Sequence, residues 1–124
     1  MNNKIPRSTF QASADINPGV FVTLSDERIV TTSATGEHPV GVTALGTKDF
    51  SSTKLAAVGD PVPVFTAGQE ADIILGATIS AGINVRPNAT GQAIAVTGTE
   101  HGYATLLTGG VSGDYVKCLV GLVQ

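Results

Sequence analysis

Closely spaced glycine turns separate short runs of β-forming residues along most of this chain. Residues 76–94, GATISAGINVRPNATGQAI, contain a small-residue segment, a glycine turn, a short strand, a second turn and a new strand. Glycine reaches positive φ at turns without steric cost, whereas valine, isoleucine and threonine suit a pleated strand. Residues 76–82 can form a helical turn, but that segment is too short for a stable helix. The pattern therefore predicts an all-β fold.

Turn signals divide residues 17–124 into ten candidate strands. These are residues 20–24, 28–32, 40–45, 54–58, 62–65, 70–75, 84–86, 92–96, 103–107 and 114–123. Strands that recur about every 8–12 residues are typical of a sandwich or a barrel. Pro61 and Pro63 flank and interrupt the fifth candidate, and proline cannot donate to a strand ladder. We expect that strand at a sheet edge or a bulge.

The first sixteen residues differ from the rest of the chain. They are polar, contain Pro6, and show neither helical nor strand periodicity. Ile5 and Phe10 are isolated apolar residues in a segment with no core of its own, so residues 1–16 are predicted to form an extended arm that orders on docking. Its expected contacts with a neighbour are Ile5, Pro6, Arg7 and Phe10. The planar guanidinium group of Arg7 can hydrogen-bond carboxylates or carbonyls. A passive tail is the alternative.

Composition limits the functions open to this chain. Its 124 residues correspond to one domain, with the core in residues 17–124. The seven basic residues are scattered and the net charge is −3, which argues against nucleic-acid binding. No apolar run approaches the roughly 18 residues that cross a bilayer, and no signal peptide is visible. Charged residues make up only 14% of the chain, so we expect surfaces covered by a partner or by further copies.

Residues that carry chemistry are few and dispersed. His38 and His101 lie far apart in sequence, and neither has a metal ligand at a suitable offset. No nucleophile motif is present, and Gly109-Gly110 precedes a strand rather than opening a phosphate-binding helix. We therefore expect no catalytic, cofactor or metal site, no small-molecule substrate and no enzymatic activity.

Cys118 is the single cysteine and cannot form an intrachain disulfide. At a period of two residues it shares a strand face with Val116, Val120 and Leu122. This placement predicts a small buried apolar residue rather than a reactive thiol, which needs an exposed electropositive setting.

Five segments, in this order, resemble the small capsid cement, or head decoration, proteins of tailed bacteriophages. They are PGVFVTL at 18–24, HPVGV at 38–42, VGDPVPVF at 58–65, the 76–94 stretch, and YATLLTGGVSGDYVKCLV at 103–120. One departure lies at residues 102–104, where Gly-Tyr-Ala replaces the usual Ile-Gly-Arg and removes a basic contact.

The resemblance implies a compact β-barrel or β-tulip-like domain that binds the outer surface of a mature phage head. Its expected partners are the major capsid protein and further copies of itself in a homotrimer, after synthesis in the host cytoplasm. Such a protein clamps neighbouring capsid subunits and has no catalytic residues or cofactor. The alternative is a tail or baseplate module that binds a carbohydrate or receptor. Stacking on sugars would then depend on Tyr103 or Tyr115, because the chain has no tryptophan.

Overall fold

The computed structural model describes residues 9–44, 59, 61–98 and 101–123, and within these ranges the secondary structure is entirely β. The described residues form ten strands in two sheets, so the all-β prediction is confirmed. Residues 1–8, which include Ile5, Pro6 and Arg7, lie outside the described part, as does the predicted strand at 54–58.

The first sheet is a closed five-stranded barrel. Its strands are β1 (Thr9–Ala12), β2 (Phe21–Asp26), β3 (Ile29–Thr32), β4 (Gly41–Thr43) and β5 (Pro61–Phe65), in the order β1-β3-β2-β4-β5. Strand β1 closes the barrel because it pairs parallel to β3 and antiparallel to β5. Small β-branched side chains such as Val22, Val30 and Val62 fill the interior, as a narrow barrel requires.

The second sheet is antiparallel and follows the barrel in sequence. Its strands are β6 (Glu70–Ile74), β7 (Asn84–Pro87), β8 (Ala93–Ala95), β9 (Gly102–Leu106) and β10 (Tyr115–Val123), in the order β6-β10-β9-β7-β8. A parallel bridge between Leu75 and Ala93 joins the end of β6 to β8, so the sheet curls around its own core.

Strands β2 and β4 join the two sheets because side chains on adjacent positions point to different cores. Phe21 and Val42 are fully buried in the core of the second sheet, whereas Val22 lies in the barrel core. Both faces of β4 are therefore covered, and the buried Thr43 needs internal partners. Its hydroxyl accepts a hydrogen bond from the Val20 amide (3.1 Å) and donates to the Asn17 carbonyl (3.0 Å).

The predicted arm boundary at residue 16 is wrong, because residues 9–16 belong to the barrel. Phe10 is only 9% exposed, and Ala12 and Ile16 are also buried in the barrel core. The exposed Gln11 between Phe10 and Ala12 shows strand alternation, but over too few residues to be recognised in the sequence. Phe10 is thus a core residue and not a contact with a neighbour.

The proline-containing strand β5 is also not an edge strand. It pairs with β1 on one side and with β4 on the other. The Pro63 carbonyl accepts a hydrogen bond from the Ala44 amide, just past the end of β4. Because the N and C=O of one strand residue point to the same side, the missing N–H of Pro63 also faces β4. The ladder with β1 is therefore unaffected.

Candidate interaction surface

Six large apolar side chains are exposed within the described residues. They are Leu24, Ile83, Leu107, Val111, Tyr115 and Leu119. Two of them, Leu119 in β10 and Leu107 directly after the end of β9, are exposed on the side of the second sheet that points away from its core. Single exposed apolar residues are ordinary, but neighbouring ones on one sheet face are candidates for contact with a partner.

The register of β9, β10 and β6 defines this face. Leu119 lies opposite Thr105, and the Leu107 amide donates to the Lys117 carbonyl, so Leu107 and Leu119 are diagonal neighbours. Lys117 in turn lies opposite Asp72 on β6. We call the surface formed by Asp72, Thr105, Leu107, Lys117 and Leu119 the outer face.

Polar groups on the outer face are paired within the molecule. The Lys117 Nζ lies 3.4 Å from the Asp72 Oδ1, and the Thr105 hydroxyl donates to the Asn84 Oδ1 at 2.9 Å. Such an exposed ion pair adds only about 0–1 kcal/mol to stability. The two opposite charges of this pair partly cancel. A partner can then cover both leucines without burying an isolated lysine or aspartate.

The opposite face of β10 carries Cys118, which is fully buried and lies in one core with the buried Val116 and Val120, as predicted. Burial raises the pKa of the Cys118 thiol to about 12, and a hydrogen bond with the Ala71 backbone offsets this only in part. The thiol therefore stays protonated near neutral pH and lacks the thiolate form that a nucleophile needs.

A groove at the junction of the two sheets brings His38 and His101 together, although they are far apart in sequence. Both line a cavity of about 220 Å³ together with Glu37, Arg86 and Tyr103. Within the described ranges, however, no group of three or more His, Cys, Asp or Glu side chains is arranged to hold a metal ion.

His38 is held in this groove by contacts with both sheets. Its Nδ1 is 2.8 Å from the Tyr103 hydroxyl, and the two rings make an edge-to-face contact with centroids 5.9 Å apart. Its carbonyl accepts a hydrogen bond from the Thr23 hydroxyl at 2.7 Å. A second, mainly apolar cavity of about 290 Å³ shares His38 and Tyr103 and continues towards Val120. The His38–Tyr103 pair thus fastens the 33–40 loop to β9.

Of the four arm residues predicted to contact a neighbour, Phe10 lies in the barrel core and the other three lie outside the described residues. The outer face was not predicted as a contact surface. The signal was available, because residues 115, 117 and 119 alternate with the face assigned to Cys118. In the part of the chain that the structure describes, no helix is long and apolar enough to cross a membrane.

Comparison with known proteins gives a structural match but no match by sequence. No protein-family model matches the chain, and neither does any curated protein. Among solved structures, the fold is similar to the N base of the head fiber gp8.5 of bacteriophage phi29. The TM-score is 0.66 and the identity 15%, over 90% of this chain and 90% of the other. At this identity the match establishes a shared fold.

Proposed function

We propose that this protein is a structural component of a tailed-phage head, which binds the outer surface of the capsid and stabilises contacts between major capsid subunits. The observation that carries the proposal is the fold, which over nine tenths of both chains is similar to the base of a phage head fiber. The cement-like order of strands and turns in the sequence is consistent with it. In this proposal the copies act as a homotrimer.

The outer face is the part of the described surface best suited to attachment. Leu107 and Leu119 are 44% and 43% exposed, so a partner that covers them gains apolar burial. Burying a leucine completely is worth about 1.5–3 kcal/mol, and about half of that remains available here. Each copy therefore gains only a modest energy, and several copies held together strengthen attachment through avidity.

Residues 1–8 form the second proposed contact. Ile5 and Arg7 supply an apolar anchor and a hydrogen-bonding fork, and Pro6 limits the conformations of the segment. Because β1 begins at Thr9, this contact segment is attached directly to the barrel wall. A strand added to a neighbour's sheet edge would use main-chain hydrogen bonds for affinity.

Co-sedimentation with mature heads that lack the protein tests the proposal. The full chain should bind the heads and raise the temperature at which they break. The double variant Leu107→Thr, Leu119→Thr should bind roughly tenfold more weakly or worse, because about 1.4 kcal/mol of lost burial corresponds to a factor of ten. Leu24→Thr is the matched control, since this leucine is 49% exposed on the barrel strand β2.

Two outcomes of the co-sedimentation experiment would contradict the proposal in different ways. If the folded full chain leaves the heads bare, the proposed function is wrong. If the full chain binds and the double variant binds equally well, attachment does not use the outer face, and removal of residues 1–8 then tests the other contact.

A further inference from the structure

A small polar cleft lies between the barrel and the second sheet, and none of its lining residues belongs to the outer face or to the groove of His38 and His101. Its volume is about 240 Å³, and its walls include Asn17, Pro18, Ile74, Thr90, Gln92 and Tyr115. None of the residues that line it carries a charge. A cleft that combines neutral hydrogen-bonding groups with one aromatic ring is suited to an uncharged polar ligand.

The Tyr115 ring forms one side of this cleft and is held there by the neighbouring backbone. The side chain is 46% exposed, and Gly19 adopts a φ of +69° beside it. A Cβ at position 19 would lie 2.7 Å from the Tyr115 Cε1, so no larger residue fits without moving the ring. Glycine therefore allows the 17–19 turn to pack against the ring while much of the ring surface remains open.

Hydrogen bonds hold the 88–92 turn on the opposite side of the cleft. The Asn88 Oδ1 accepts three of them, from the Thr90 amide (2.9 Å), the Thr90 hydroxyl (3.0 Å) and the Gln92 amide (3.0 Å). Gly91 within this turn packs on the barrel, where its carbonyl accepts a hydrogen bond from the Phe21 amide at 2.9 Å. The Thr90 and Gln92 side chains are thus presented from a fixed backbone.

The 17–19 turn is fixed in the same way from inside the barrel. The buried Thr43 hydroxyl donates to the Asn17 carbonyl, and the Ile74 amide donates to the Gly19 carbonyl at 2.8 Å. Within the described part of the chain, the Asn17 side-chain amide has no hydrogen-bond partner. Both walls are therefore ordered before a ligand arrives, which lowers the entropic cost of binding.

We propose that this cleft binds a neutral saccharide, with one sugar ring lying against Tyr115. The Asn17 amide offers donors and an acceptor, and the Gln92 amide offers its donors while its Oε1 already accepts from the Asn88 Nδ2 at 3.4 Å; these groups match sugar hydroxyls, which both donate and accept. The aromatic ring provides an apolar surface for the C–H face of the sugar. The cleft is smaller than the roughly 300–1,000 Å³ of sites for drug-sized ligands, so it fits a single ring of a longer chain.

The test uses the isolated full-length protein, so that its result is independent of head binding. Ligand-detected NMR is run with glucose, galactose, N-acetylglucosamine and, as a charged comparison, glucuronic acid. At least one neutral sugar should bind, and Tyr115→Ala should weaken it by about tenfold or more, equivalent to about 1.4 kcal/mol. Tyr115→Phe keeps the ring and should bind within a few-fold of the unsubstituted chain.

Tyr103→Phe is the matched control, because it removes a tyrosine hydroxyl outside the cleft and should leave sugar binding unchanged. Gln92→Ala should weaken binding while the protein stays folded. Absence of binding by all three neutral sugars overturns the proposal. Binding that survives Tyr115→Ala, or that favours glucuronic acid over the neutral sugars, overturns it as well.

Discussion

Replacing Phe10 by alanine should lower the denaturant concentration at which the protein unfolds. The substitution should act on stability and not on attachment. Phe10 lies in β1, opposite Val62 of β5, and packs with Ile16, Val22 and Val30 in the barrel core. Because β1 joins β3 to β5, loosening it leaves two strand edges without a stable partner. The substitution therefore weakens barrel closure as well as packing.

The expected loss of stability follows from the position of the ring. Removing a buried phenylalanine side chain generally costs about 3–5 kcal/mol. Phe10 retains 9% exposure, which favours the lower end, about 3 kcal/mol. Part of this is the contact with Arg28, whose guanidinium carbon lies 4.9 Å from the ring centroid and which contributes about 0.5–1 kcal/mol. For a chain of this length, 3 kcal/mol corresponds to a fall in Tm of roughly 10–15 °C.

Urea denaturation followed by circular dichroism measures this loss, with calorimetry for Tm. Leu24→Ala on the exposed side of β2 is the control and should change stability by less than about 1 kcal/mol. Deleting residues 1–8 should also have little effect, whereas deleting residues 1–13 removes β1 and should prevent folding. A Phe10→Ala protein that loses less than about 1 kcal/mol would refute the placement of β1 in the barrel.

Three further perturbations test separate parts of the fold. The Cys118 thiol has its pKa raised from 9.0 to about 12, so above pH 9.0 the unfolded chain releases a proton that the folded chain keeps. Between pH 9.0 and about pH 12, the free energy of unfolding of the wild type, measured by urea titration, should therefore fall relative to that of Cys118→Ala by up to about 1.4 kcal/mol per pH unit. Equal pH dependence of the two proteins would contradict burial of the thiol. Gly41→Ala places a Cβ against the Phe65 carbonyl, so it should lower the free energy of unfolding by about 3 kcal/mol or prevent folding. A urea unfolding curve that matches the wild type would contradict this close packing of β4 on β5. Tyr103→Phe should lower the free energy of unfolding in urea titrations by about 0.5–1.5 kcal/mol. It should also shift the ¹⁵N NMR signals of the His38 ring, and unchanged signals would contradict the hydrogen bond.

Local sequence patterns were sufficient to predict most strands between residues 20 and 123. The sequence predicts strands at residues 70–75 and 84–86, and the structure has them at Glu70–Ile74 and Asn84–Pro87. Here alternating burial, β-branched side chains and flanking glycine turns all favour the same structure. The buried face of β10 was predicted for the same reason, since Val116, Cys118 and Val120 follow a period of two.

The features that were missed depend on partners distant in sequence. β1 has only four residues, and its pairing with Ile29 and with Pro61 to Pro63 is what identifies it as a strand. The same applies to β5, whose prolines suggest an edge until both neighbouring strands are known. The contact between His38 and Tyr103 spans 65 residues, so no local motif indicates the groove that they form.

Cryo-electron microscopy of decorated heads shows whether this protein attaches to the outside of a phage head, as we propose. Purified protein is added to mature heads of the phage that carries its gene, after any native copies have been removed. We expect density at symmetric positions on the outer surface, in contact with more than one major capsid subunit and with the leucines of the outer face turned towards a neighbour. Bare heads in the presence of folded protein, or density on the tail alone, would contradict it.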